Sequence, residues 1–100
     1  MDRNRVELTG RLAEMSALRH TPAGTPIVMC VIAHQSLQTE NGSNRKVVAE
    51  VEAKAIGKTA QAISLLQPGQ ALQLSGFIAS ANLKQPRRLV LHIDEFELLN

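Results

Sequence analysis

The sequence is poor in aromatic residues and has one cysteine. It contains no tryptophan, no tyrosine and two phenylalanines, so few rings are available for a core or for a binding site. The single cysteine, Cys30, excludes an intramolecular disulfide and fits a reducing compartment. Because Cys30 lies within an apolar run, we expect a buried thiol that packs as a small hydrophobic residue.

Long apolar runs are also missing. None approaches the roughly 20 residues that a membrane helix needs, and the start, Met1–Arg5, has no apolar segment of the kind found in signal peptides. We therefore expect a cytoplasmic protein with no membrane partner. The net charge of +2 is mildly basic and does not by itself indicate a nucleic-acid ligand.

The length of 100 residues predicts one domain that spans residues 1–100. Its hydrophobic content of 44% and charged content of 20% are typical of globular proteins and exclude wholesale disorder. A chain this short buries a modest fraction of its surface, and dimerisation is one way to bury more.

Five segments predict β-strands. Four of them alternate between apolar and polar residues, whereas the second is apolar without a break and is predicted to be buried on both faces. A change of phase near Asp94-Glu95 predicts a β-bulge in the last strand. The five segments are Val6–Leu12, Ile27–Ala33, Val47–Ala55, Leu72–Ile78 and Leu89–Leu98.

The connecting segments carry turn signals and one helical pattern. Thr21–Pro26 and Gln67–Gln70 are rich in proline and glycine, which predicts turns, and Gly57–Leu66 predicts a short helix. Two polar segments are predicted to be loops, Glu40–Arg45 with its Asn-Gly pair and the basic Asn82–Arg88.

These elements predict an all-β fold. Five strands, with a short helical connection between the third and the fourth, follow the plan of the five-stranded Greek-key OB-fold barrel. Glycines within the first and fourth strands, Gly10 and Gly76, are typical of bends at barrel corners. The order of elements does not fix the topology, so an unrelated small β-barrel or β-sandwich remains an alternative.

Several segments resemble one known family. In order along the chain they are Asn4–Gly10, Thr21–Pro26, Ala33–Ser36, Leu74–Ile78 and Leu89–His92. Their order and spacing from Asn4 to Leu99 resemble the primosomal replication protein N (PriB) family, the OB-fold single-stranded-DNA-binding proteins of the bacterial replication restart primosome.

The resemblance implies a function and a set of partners. Members are homodimers that bind single-stranded DNA and the PriA helicase, and in some hosts they help recruit DnaT. It implies a non-enzymatic accessory protein that stabilises PriA on DNA and helps to assemble the primosome. The alternative is a protein-interaction module of the primosome with little or no DNA binding of its own.

Basic residues are the candidates for DNA contact. Lys84, Arg87 and Arg88 place three cations within five positions, which suits phosphate binding, although a solvated basic loop explains them equally well from composition alone. The resemblance favours binding, because Lys84 and Arg88 fall where family members carry DNA-contacting lysines.

Two weaker candidate pairs lie elsewhere in the chain. Arg19 and His20 fall where the family has a basic pair, and Arg45 and Lys46 flank the loop before the third strand. A solvent-exposed position with no role in DNA binding explains either pair equally well.

The chain also departs from the family pattern. Gln35 stands where a basic residue can occur, and Val48 stands where the family can carry an aromatic residue. Phe96 is predicted to be core, and Phe77 to be exposed or at a subunit contact. We therefore expect a DNA-binding face that relies on charge and hydrogen bonds more than on stacking.

The unbroken apolar strand predicts a homodimer interface. In a small barrel one face of that strand should be wet, so a second subunit is expected to cover it. The predicted interface residues are Ile27, Val28, Met29 and Val31.

No catalytic or metal-binding pattern is present. Glu50 and Glu52 share the polar face of a predicted strand, where solvation is the simpler explanation than acid–base chemistry. His20, His34, His92 and Cys30 match no zinc spacing. The sequence therefore predicts no cofactor, no metal and no enzymatic activity.

Overall fold

Six β-strands and one short helix make up the computed structural model, which describes residues 2–99. Met1 and Asn100, the ends of the predicted domain 1–100, lie outside the described residues. The elements are β1 (Val6–Met15), β2 (Arg19–His20), β3 (Pro26–Glu40), β4 (Ser43–Ile56), α1 (Lys58–Ile63), β5 (Ala71–Asn82) and β6 (Gln85–Leu98).

The strands close into a barrel. The sheet order is β1-β5-β6-β4-β3-β2, and an additional pairing of β1 with β3 joins the two sides. β4 and β6 are parallel, and the other paired strands are antiparallel. This is the predicted five-stranded Greek-key OB-fold, with the two-residue β2 added at the edge of β3. The sandwich alternative is therefore wrong.

The core is apolar and lies inside the barrel. Its largest fully buried side chains are Leu12, Val28, Ile32, Ile63, Leu72 and Leu74. Helix α1, predicted within Gly57–Leu66, buries Ala60 and Ile63 against this core. Among residues 2–99 there is no helix with the length and apolar character of a membrane span.

The thiol of Cys30 is buried among these core residues, as the sequence predicted. Burial raises its pKa to about 11, because a thiolate would lose its solvation there. The thiol is therefore a packing group in the folded chain.

Within the chain itself Ile27–Ala33 is buried on one face, and the covering of its outer face by a second subunit stays a prediction. Val28, Cys30 and Ile32 face the core, whereas Met29 is 41% exposed and Val31 is half-buried. Strand side chains alternate between two faces, and a barrel with one sheet layer covers only the inner one. The apolar residues of the outer face therefore need an explanation other than core packing.

The two polar segments that were predicted as loops are largely strand. Asn41 and Gly42 form a two-residue turn with φ of 50° and 78°, as a type I′ turn requires, and pairing of β3 with β4 continues to this turn. In the other segment only Leu83 and Lys84 form a turn, and β6 begins at Gln85. Both hairpins extend beyond the barrel, where a two-stranded ribbon needs no apolar face.

Gly76 allows a close approach between β5 and β6. A Cβ at this position would collide with the carbonyl oxygen of His92. Next to it the register moves from Ser75↔Glu95 to Gly76↔Ile93. Asp94 is thus the extra residue of a β-bulge, which confirms the bulge predicted near Asp94-Glu95.

Candidate nucleic-acid interface

The outer face of β3 and β4 carries several of the predicted site residues. Because the core residues of these strands alternate with outward ones, each outward residue of β3 lies opposite an outward residue of β4. These cross-strand pairs, called here the outer β3–β4 face, are Met29↔Lys54, Val31↔Glu52, Ala33↔Glu50, Gln35↔Val48 and Leu37↔Lys46.

A cleft of about 380 Å³ opens on this face. β1 contributes Glu14 and Met15 to it, and β3 contributes Met29 and Val31. Arg88 of β6 completes the lining together with Glu52, Ser16 and Cys30; we call this the Arg88 cleft. The cleft therefore combines an apolar floor with one cation, Arg88, and two carboxylates, those of Glu14 and Glu52.

Ser16 fixes one wall of the Arg88 cleft. Its backbone N–H donates to the carbonyl oxygen of Met29 at 2.8 Å, and its hydroxyl oxygen accepts from the N–H of Met29 at 3.0 Å. This pair of bonds holds the segment after β1 against β3, which keeps the cleft in shape around Met29.

Arg88 is held by a bidentate ion pair. Its Nε and Nη2 donate to the two carboxylate oxygens of Glu52 at 3.0 and 2.7 Å. These hydrogen bonds and the Arg88 charge lower the pKa of Glu52, and the pKa of Arg88 is raised in return. The guanidinium is thus positioned on the outer β3–β4 face, but its charge is partly compensated.

Lys84 and Arg87 are exposed, and neither forms a salt bridge within residues 2–99. The side chain of Asn82 accepts from the backbone N–H of Lys84 at 3.0 Å, which orders the turn. Arg87 and Arg88 are neighbours in β6, so their side chains leave the strand on opposite faces. The three cations predicted as one loop cluster therefore belong to one hairpin but do not share one face.

The other predicted cations lie on two further elements. β2 places Arg19 opposite Ile27 and His20 opposite Pro26, both exposed at the edge of β3. Arg45 pairs with Glu40 across the β3–β4 hairpin at 3.0 Å, which compensates its charge. Lys46 is exposed opposite Leu37 on the outer β3–β4 face.

The residues predicted for a dimer interface divide between the two faces of β3. Val28 has 0% exposure and packs in the core, so its side chain is unavailable to a partner and its prediction is wrong. Ile27, Met29 and Val31 point outward, and Met29 and Val31 line the Arg88 cleft. One predicted DNA contact and two predicted dimer contacts thus share one cleft.

A stacked pair of rings lies on the outer side of β5 and β6. The rings of Phe77 and His92 are nearly parallel, at 17°, with centroids 4.9 Å apart. Burial, followed by the nearby charge of Lys54, lowers the pKa of His92, and Asp94 opposes this shift. The exposure of Phe77 agrees with the sequence, whereas the role of His92 was missed because its partner depends on the register beside the bulge.

His34 has a structural role. Its Nδ1 lies 2.6 Å from the carbonyl oxygen of Thr9, and its Nε2 lies 2.8 Å from the hydroxyl of Ser36. Since a carbonyl only accepts, Nδ1 carries the hydrogen and ties β3 to β1. In the part of the chain that the structure describes, no group of three or more His, Cys, Asp or Glu side chains is arranged to hold a metal ion.

Sequence comparison finds a family and its members. The model of a family described as "another single-strand binding protein family" matches residues 4–95. The replication restart protein PriB of Nitrosomonas europaea is 34% identical over 99 residues, which cover 99% of this chain and 91% of the relative.

Solved structures show the same fold. The structure of PriB from Ralstonia solanacearum superposes with a TM-score of 0.89 at 34% identity and covers 99% of this chain and 100% of its own. A single-stranded DNA binding protein from Thermus aquaticus has a TM-score of 0.77 at 23% identity, and the match covers 97% of this chain and 50% of the other. The second likeness bears on the fold alone.

Proposed function

Because the chain belongs to the PriB family of single-strand-binding OB-fold proteins, we propose that it binds single-stranded DNA on the outer β3–β4 face. The observation that carries this proposal is the Arg88 cleft, which combines a positioned guanidinium with the exposed apolar side chain of Met29. Family membership agrees with the expectation of a binding protein and not an enzyme.

The position of the cleft supports the proposal. OB-folds bind oligonucleotides across their second and third strands, between the first connection and the last hairpin. In this barrel those strands are β3 and β4, and the flanking connections carry Arg19 and His20 on one side and Lys84 on the other. Cations there suit phosphates, while Met29 and Val31 suit the faces of unpaired bases.

We propose that this protein acts in the replication restart primosome, in the cytoplasm. There it would stabilise the PriA helicase on DNA and help to assemble the primosome, with DnaT as a further partner in hosts that have it. A homodimer is proposed as its assembled form. A dimer contact that buried Met29 and Val31 would close the Arg88 cleft, so the two uses of this surface compete.

Fluorescence anisotropy with oligo-dT at several salt concentrations, with a duplex as control, tests DNA binding. Three to five phosphate contacts per protomer would give a log–log salt slope of roughly −2 to −4, since each contributes about −0.7 on single strands. Replacing Lys84, Arg87 and Arg88 together by alanine is expected to remove most of the affinity and to flatten the slope.

The ion pair of Arg88 supplies a matched comparison. Glu52→Gln frees the guanidinium, whereas Glu50→Gln removes the same charge from a neighbouring outward position of β4 that forms no salt bridge within residues 2–99. We expect a larger gain in oligo-dT affinity from Glu52→Gln. Equal gains would place Arg88 outside the DNA contact.

The alternative is a protein-interaction module of the primosome with little or no DNA binding. The absence of tryptophan and tyrosine favours it, because stacking supplies much of the affinity in sequence-tolerant single-strand binding. A folded protein that fails to bind oligo-dT even at low salt would favour this alternative over the proposal.

A further inference from the structure

Four outward side chains form a row across the sheet. Met29 of β3 lies opposite Lys54 of β4, Lys54 lies beside His92 of β6, and His92 lies opposite Phe77 of β5. Neighbouring strands are about 4.8 Å apart, so this transverse row covers roughly 14 Å measured around the curved wall of the barrel. It crosses the barrel at right angles to the strands and shares Met29 with the Arg88 cleft.

The transverse row is accessible at both ends. Phe77 is 38% exposed and Met29 is 41% exposed, whereas Lys54 and His92 between them are half-buried. A hollow of about 160 Å³ lies against the row and is lined by Lys54, Phe77 and His92, with Asp94, Thr59, Ile56 and Ile93. The row thus offers a pair of stacked rings, a cation and a flexible thioether in succession.

We propose that the transverse row is a base-contacting platform for single-stranded DNA. The face of the Phe77–His92 pair stacks on one base, Met29 packs against another, and Lys54 binds a phosphate between them. The proposal rests on the proposed function above, and it adds stacked rings to a surface whose other proposed DNA contacts are cations and aliphatic or thioether side chains.

The composition of the row favours this occupant over a second copy or a protein partner. Ring faces stack on any unpaired base, and a thioether adapts to irregular apolar surfaces. Lys54 stands at the centre of the row, where burial by an apolar partner surface would strand its charge. Continuity with Arg88, through Met29, lets one strand contact both the row and the cleft.

The lack of native tryptophan and tyrosine makes a clean fluorescence test possible. Phe77→Trp places a single tryptophan in the row, and Leu65→Trp places one in the turn after α1, where the native side chain is 80% exposed. On addition of oligo-dT, stacking is expected to quench the tryptophan at position 77 and to leave that at position 65 unchanged. Equal behaviour of the two reporters would overturn the proposal.

Affinity for bases and affinity for the backbone can be separated with an abasic strand of equal length. Phe77→Ala and the bulkier Phe77→Leu are expected to weaken oligo-dT binding by at least about fivefold, which corresponds to the lower end of the free energy contributed by one stacked base. Both variants are expected to bind the abasic strand within about twofold of the parent. Leu65→Ala is the control and should change neither.

The possible results distinguish this proposal from the proposed function. If the parent binds oligo-dT and both Phe77 variants bind it equally well, the row is not a platform, while DNA binding stands. If sedimentation shows that the Phe77 variants change subunit assembly and keep the parent's preference for oligo-dT over the abasic strand, the row is a protein contact. A parent that binds neither strand at low salt overturns both proposals.

Discussion

Single residues decide how tightly the barrel closes. At Gly76 the backbone of β5 passes so near the carbonyl oxygen of His92 that no side chain fits, and at Gly10 a Cβ would lie 2.5 Å from the Cγ2 of Ile32. Both glycines thus serve close approach between neighbouring strands. At Gly76 the nearest atoms are all backbone of the bulge, and at Gly10 the carbonyl oxygen of Ala33 also lies 2.7 Å from the Cβ position, so backbone blocks a side chain at both glycines.

Gly76→Ala is therefore expected to destabilise the protein by about 3 kcal/mol, the upper end of the range typical of overpacking a well-packed core, because the obstacle is backbone. Urea unfolding measures the change. Gly24→Ala is the control, because Gly24 has φ of 88° but nothing within 4 Å of its missing Cβ, so only backbone strain applies. If the two variants lose equal stability, close packing is not the reason for glycine at position 76.

The sequence predicted the burial or exposure of single residues well where their neighbours along the same strand determine it. The burial of Cys30 follows from its apolar neighbours, and the exposure of Phe77 follows from its phase relative to the buried Leu74 and Gly76. Val28 shows the limit, because an unbroken apolar run does not tell which half of its residues points outward. The Phe77–His92 stack needs the register of β5 on β6, which shifts at the bulge beside it.

The hairpins show the same limit at the scale of elements. Polar composition predicted two loops, but a ribbon that projects from a barrel is solvated on both faces and can be polar throughout. The Asn-Gly turn was the reliable local indicator, since a type I′ turn needs positive φ at both central positions. The β3–β4 ribbon beyond the barrel thus depends on its turn and on cross-strand pairs.

Gly42→Val should loosen the end of this ribbon. A β-branched residue at φ of 78° is strained by roughly 1–3 kcal/mol, and no core contact nearby offsets that strain. Amide hydrogen exchange is expected to speed up near Thr39 and Asn44, while urea unfolding of the barrel changes little. Asn41→Gly, which keeps the turn geometry accessible, is the control. If the amides at the ribbon end stay protected from exchange in Gly42→Val, cross-strand pairing alone holds the ribbon together.

At the scale of the whole molecule, the outer β3–β4 face has two possible uses. An apolar strip on a small barrel was expected to be a subunit contact, but Met29 and Val31 lie in the Arg88 cleft, on the face that OB-folds use for oligonucleotides. Other exposed apolar side chains lie away from this cleft on the β5–β6 hairpin, among them Leu83 at 99% and Leu89 at 55% exposure. A homodimer therefore has other surfaces available to it.

Met29→Gln separates these uses, because it keeps the length of the side chain and removes its apolar character. We expect the variant to weaken oligo-dT binding and to remain dimeric, with a mass near 22 kDa by light scattering, twice the 10.9 kDa of the chain. The reason is that loss of a base contact weakens only the complex with DNA if the dimer forms through another surface of the protein. Leu89→Gln, which alters an exposed leucine of the β5–β6 hairpin, serves as the matched variant. A Met29 variant that dissociates to monomers while Leu89→Gln stays dimeric would assign the face to the dimer and leave the Arg88 cleft closed to DNA in the assembled protein.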